Sequence, residues 1–143
     1  MADQSHPPTH FNLGEIAASF PDTAETMLLD RYLVDTPTAS TRVFRVYRPA
    51  PAHLHRHSDE HLVLLSGRGT FWIGDPASAQ DLGPGNLLVF PRNTPHATTA
   101  ILEHPLVVLA IDTPRRDPAD VHFLDPADGS PTTFIRETSQ AQR

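Results

Sequence analysis

The sequence predicts an all-β domain, a sandwich or a barrel, and two observations carry that reading. Between dispersed turn residues lie many short runs rich in β-branched and aromatic side chains, the pattern of strands joined by turns. The prolines, 15 of them from Pro7 to Pro131, supply much of that punctuation. At 143 residues the chain is one domain's worth. It is long enough to bury a core without staples.

Taken in order, Asn12–Phe20 predicts a short helix, with Asn12 as N-cap and Glu15 three residues on, as in a capping box. Ala24–Leu29 reads as another turn or two of helix, with Thr23–Leu33 as the start of the first strand the equal alternative. Strands are expected at Arg31–Val34, Thr41–Arg48, His61–Leu65, Thr70–Ile73, Asn86–Phe90, His96–Ala100 and Leu106–Ile111. Leu62, Leu64, Phe71, Ile73, Leu87 and Val89 are read as lining the barrel. Phe44 and Val46 are read as packing on the opposite face from Arg45 and Tyr47. Trp72, pointing away from Phe71, closes the outer face or sits at a contact between two copies. Past Ile111 the chain turns polar and proline-rich. Asp117–Asp120 and Asp125–Asp128 read as two proline-started turns. Val121, Phe123 and Leu124 between them pack back on the domain, and Gln140–Arg143 is expected to fray. This divides the chain into an N-terminal extension packed on the barrel (1–29), the barrel (30–113) and a partly packed tail (114–143).

Composition excludes several chemistries. With no cysteine there is no disulfide, thiolate metal site, iron–sulfur cluster or cysteine nucleophile. All 11 basic residues are arginine, so no lysine Schiff base or phosphate-loop lysine is available. A formal charge of −6 without a basic stripe argues against nucleic acid as a partner. No apolar run approaches the ~18 residues a bilayer span requires, so no membrane partner is expected. The first residues show no secretory signal, and a cytoplasmic location is expected.

Five of the nine histidines fall in two places. One is His53-Leu-His55-Arg-His57-Ser-Asp-Glu60-His61; the other is His96, after Pro91-Arg-Asn-Thr-Pro95. Neutral imidazole is the commonest metal ligand, and carboxylate oxygen complements it. Residues two apart on a strand share a face, so His53 and His55 can aim at one point. Glu60 follows a bend, and His96 approaches from a distant strand. Three imidazoles and one carboxylate leave coordination positions open, the mark of a reactive or ligand-binding ion. A rival register, His55, His57 and His61, competes within the same segment and would place His61 at the ion in place of Glu60.

These residues resemble the cupin superfamily. Its first motif is matched by His53-x-His55, four residues, Glu60, six residues and Gly67, with Tyr47 where a leading glycine would stand. Its second is matched by Gly85, five residues, Pro91-x-Asn93, two residues and His96. Asn93 replaces a glycine and Ala100 an asparagine. The spacing to Gly67 favours Glu60 over His61. The resemblance implies a jelly-roll β-barrel, often a homodimer. It implies one divalent ion per chain inside the barrel, Fe(II), Mn(II), Ni(II) or Zn(II). The family leaves the reaction open. The expected function is a metal-dependent enzyme acting on a small organic molecule, with an Fe(II) dioxygenase first. A non-redox isomerase, lyase or decarboxylase is second, and a non-catalytic small-molecule binder third. If the alternation carries through Pro49 and Pro51, Arg45 and Tyr47 share the face of His53. Arg45 is then a substrate-carboxylate contact, competing with a plain surface arginine. Tyr47 and His57 are the acid–base candidates. His6, His10, His104 and His122 read as ordinary surface or packing residues.

Overall fold

A computed structural model describes residues 5–130. Its elements are α1 (Leu13–Ala18), β1 (Leu28–Thr36), β2 (Ala39–Val46), β3 (Ala50–Leu54), β4 (Asp59–Ile73), β5 (Gln80–Leu82), β6 (Leu87–Phe90), β7 (His96–Thr113) and β8 (His122–Phe123). All strand pairings are antiparallel. One path runs β1-β2-β7-β3-β8, and β4 pairs with β5, β6 and β7. The result is a jelly-roll-like sheet that curls into a bowl without closing into a full barrel. No helix among the described residues is long and apolar enough to cross a membrane.

Two long strands shape the bowl. The runs expected at His61–Leu65 and Thr70–Ile73 are one 15-residue strand, β4. Those at His96–Ala100 and Leu106–Ile111 are one 18-residue strand, β7. Their shared ladder slips register between Leu64 and Phe71, and such irregularities bend a strand and sharpen its twist. The bend lets one end of β7 pair with β3 while the other pairs with β2.

Direct cross-strand partners point to the same face, and this fixes which side chains enter the bowl. Phe44 lies opposite Val108 and Val46 opposite Leu106. With Leu28, Leu62, Leu64, Phe71, Leu88 and Phe90 they form the inner core. On the outer side of β2, Val43 packs with Leu29, Leu33, Val107, Ile16 and Phe20, under α1. Asn12 caps that helix by accepting the Glu15 N–H at 3.0 Å.

Several sequence expectations change. Ala24–Leu29 holds no helix, and β1 begins at Leu28. In β6 the inward residues are Leu88 and Phe90, while Leu87 and Val89 are 58% and 39% exposed. The reason is pairing: Phe90 faces Glu60 and Leu88 faces Leu62, both inward. Trp72 is buried within the chain, opposite Ala97 in the ladder with β7. β5 and β8 are additions that the sequence did not signal, and the strand expected to carry His53 is β3. In the tail, Val121 is fully buried and Leu124 is exposed. Both Asp-Pro-Ala-Asp segments turn as expected, each first aspartate accepting an N–H two residues on. Gln140–Arg143 lies outside the described residues.

Candidate metal centre

Three imidazoles converge in the bowl. His53 and His55 alternate along β3 and its exit, and His96, the first residue of β7, lies directly opposite His53 in the ladder. All three are buried, and their ligand atoms lie within 4.8 Å of one another. Each ring is held through Nδ1 by a main-chain carbonyl: His53 by Pro51 at 2.7 Å, His55 by Asp120 at 2.7 Å and His96 by Thr94 at 3.0 Å. A carbonyl only accepts, so Nδ1 carries the proton and Nε2 of each neutral ring carries the lone pair. Phe90 stacks on His96 at 3.9 Å and 7°.

Burial, reinforced by the neighbouring imidazoles, keeps His53 neutral far below its ordinary range. Burial also pushes His96 down to about 4, against the pull of Glu60. Uncharged imidazoles with inward lone pairs are what a divalent ion requires. Nε2 of His55 and of His96 are buried without a hydrogen-bond partner, an unfavourable state that an ion at their focus would relieve. The residues therefore fit a metal ion.

Glu60 stands at the edge of this focus. Its Oε1 is 3.5 Å from Nε2 of His55 and 3.7 Å from Nε2 of His96, too long for good hydrogen bonds. Its Oε2 accepts from Nη2 of Arg42 at 3.3 Å. Burial opposes its ionisation, yet His55, Arg42 and His96 together hold the carboxyl well below its usual range. Arg42 also reaches Asp30 at 3.5 Å and Asp112 at 3.7 Å, and Arg116 approaches Asp112 at 3.8 Å. All five charged residues are buried.

The structure settles where each expected site residue lies. His53, His55, Glu60 and His96 come together; His57 and His61 of the rival register are exposed. Arg45 and Tyr47 do not enter the bowl. Arg45 donates to the carbonyls of Pro21 and Asp22, Tyr47 donates to that of Pro21, and the guanidinium lies over the tyrosine ring. β2 ends at Val46 and β3 starts at Ala50, so the alternation does not carry across Pro49 and its parity inverts. Phe44 and Val46 line the cavity instead. His57 points to solvent, and its main-chain N–H donates to Asp120 at 2.9 Å.

Arg42, Asp112, Arg116 and Asp120 escaped the sequence reading. One signal was present for Arg42: it alternates in phase with Phe44 and Val46, a charge on an apolar face. Nothing local marks the role of Asp120, whose partners in the His55–His57 loop lie more than 60 residues away.

A jelly-roll bowl with a buried three-histidine cluster at its focus is the architecture of a cupin. Residues 44–112 match the cupin-domain family model, which together with the double-stranded β-helix fold of similar structures supports membership of the cupin superfamily. Similar solved structures share this fold at low identity. KdgF from a Halomonas species is 22% identical, with a TM-score of 0.58, covering 64% of this chain and 82% of its own. The polyketide cyclase RemF from Streptomyces resistomycificus is 22% identical at 0.58, covering 69% and 72%. The nucleoside dehydratase Pac13 from Streptomyces is 16% identical at 0.52, covering 68% and 89%. A comparison with curated protein sequences gave no match.

Proposed function

We propose that this chain is a metal-dependent enzyme that transforms a small organic molecule in the bowl. The observation that carries the reading is the set of three buried imidazoles, each tied back by a carbonyl, with Nε2 atoms focused into an apolar cavity. A bound ion with open positions would supply Lewis acidity or, as iron, oxygen chemistry. His53, His55 and His96 would hold it, and Glu60 is the fourth ligand in this reading. Leu62, Phe71 and Val108 in the wall exclude water from the site.

An Fe(II) dioxygenase is the first choice. Among the described residues lining the cavity, the titratable groups are the three histidines, Glu60, Arg42 and Arg116. If the first four are ligands, only arginines remain, and arginine does not give up its proton. The reaction then has no protein acid or base and leans on the ion. A second reading, a non-redox lyase or isomerase, draws on Glu60. The tightest ligand cluster contains only the histidines, and a carboxylate beside the ion can move a proton. Two similar folds are named a dehydratase and a cyclase.

Elemental analysis of protein prepared without a chelating tag is expected to find about one metal per chain. His53→Ala and His96→Ala are each expected to abolish it. Metal retained in full by both variants would overturn the centre. With Fe(II) under air, O₂ uptake in the presence of small carbonyl or phenolic compounds supports the first choice. Turnover with Zn(II), lost in Glu60→Gln and without O₂ uptake, decides for the second.

A further inference from the structure

Arg116 lies three residues past β7, lines the same cavity as the histidines and is 3% exposed. Its partners do not satisfy it. Nε comes only to 3.8 Å from Asp112, and neither Nε nor Nη1 has a hydrogen-bond acceptor. Arg42 differs in part: its Nε is also without an acceptor, but both its terminal nitrogens reach carboxylates, those of Asp30 and Glu60. Leaving a buried donor unpaired costs about 1–3 kcal/mol, and more when the group is charged. A fold that keeps such a guanidinium at a cavity wall has left room for an acceptor that the chain does not provide.

Charge and size say what that acceptor is. In the buried network Arg42 and Arg116 face Asp30, Glu60 and Asp112, one negative charge in excess. A divalent ion at the histidines turns that into one positive charge in excess, which a monoanion would neutralise. The interior measures about 50 Å³ for the centre of a water-sized molecule. At about 10–15 Å³ per water this holds a ligand of a few heavy atoms. Leu62, Phe71, Phe90 and Val108 in the wall suit a short carbon skeleton, not the all-round polar surface of inorganic phosphate.

We infer that Arg116 sets the specificity of the bowl and that its ligand is a small organic carboxylate, held by the guanidinium beside the metal. A planar carboxylate matches a guanidinium geometrically as well as in charge. The inference rests on the metal-centred reading above and adds the substrate class to it.

Calorimetric titration of the Zn(II)-loaded protein with propionate, its neutral isostere propionamide and inorganic phosphate tests the assignment. Propionate is expected to bind at least tenfold tighter than either of the others. In Arg116→Met the zinc stoichiometry should be unchanged, with propionate weakened at least tenfold and propionamide unaffected. Arg116→Lys, which keeps the charge and loses the planar fork, is expected to fall between. Equal propionate affinity in wild type and Arg116→Met overturns the assignment, as does tighter binding of phosphate than of propionate. Should Arg116→Met fail to fold, the wild type still answers. The Nε–H resonance of Arg116, identified by its loss in Arg116→Lys, must shift as propionate saturates the zinc-loaded protein, and a static resonance overturns the inference. The two readings separate cleanly: a chain that takes up no zinc sinks both, whereas a zinc-loaded chain without carboxylate preference sinks only this one.

Discussion

Asp120 joins the tail to the centre through four hydrogen bonds. Its carbonyl accepts from Nδ1 of His55, and its carboxylate accepts the main-chain N–H groups of Arg56 and His57 and faces Nε2 of His122 at 3.1 Å. Burial opposes ionisation, but the two main-chain donors outweigh it and hold Asp120 below the ordinary carboxylate range. Groups that orient metal ligands in this way commonly change metal affinity 10–100-fold when lost. Asp120→Ala is therefore expected to weaken metal binding about 10–100-fold while leaving the stoichiometry intact, read by competition with a chromogenic chelator. Unchanged affinity would show that the loop from His55 to His57 holds without the clamp. The ligands themselves were legible because their spacing is local: His53-x-His55 and Glu60 lie within eight residues, and Gly67 fixes their frame. Asp120 and Arg116 were not, since their meaning comes from a tail folded back across more than 60 residues.

At the scale of elements, parity decided what could be foreseen. Within β4 the inward pair Leu62 and Leu64 follows from alternation, whereas Phe71, of opposite parity, joins their face through the register slips between them. Parity fails wherever the chain leaves a strand, as between Val46 and Ala50, and wherever a neighbour sets it, as for β6. The turn chemistry was more faithful. Asn93 adopts φ of 67° where the family pattern has glycine, as a residue tolerant of the left-handed region can. Gly67 has φ of 78°, and a Cβ there would lie 2.8 Å from Cα of Leu106 and closer still to the carbonyl oxygens of Glu103 and Pro105. Gly74 shares that φ but has nothing within 4 Å of an added Cβ. Gly67→Ala is expected to cost about 2–5 kcal/mol, combining left-handed strain of about 1–2 with overpacking of about 1–3. Gly74→Ala incurs only the strain, about 1–2 kcal/mol. Urea unfolding of both variants checks the pair, and equal losses would remove the packing argument for the glycine in the first motif.

For the whole molecule, folding places a charged network and the imidazoles of His53 and His96, both depressed by burial, in one interior, and this couples stability to pH. In the metal-free protein, His53 lies well below its ordinary 6.5 and His96 near 4. Unfolded, both return to about 6.5. Between about pH 6.5 and 4 the unfolded chain thus binds protons that the folded chain refuses. The stability these residues lend is complete above 6.5 and is lost as the pH falls through that window. Glu60, held well below 4.5, adds a loss of the same sign at the acid end. Asp112 works the other way. Burial, then the charge of Glu60, raises it to about 6, so below that pH the folded state gains a proton the unfolded state does not yet hold. One raised carboxyl stands against two depressed imidazoles, and the net slope follows the imidazoles. The urea midpoint of chelator-treated protein is expected to be lower at pH 5 than at pH 7, with an unchanged slope. In the metal-loaded protein the fall should be steeper, because protons also compete with the ion for the three Nε2 atoms. A midpoint unchanged or higher at pH 5 in the metal-free protein would mean that Asp112 dominates the interior and that the imidazoles take protons without unfolding the chain.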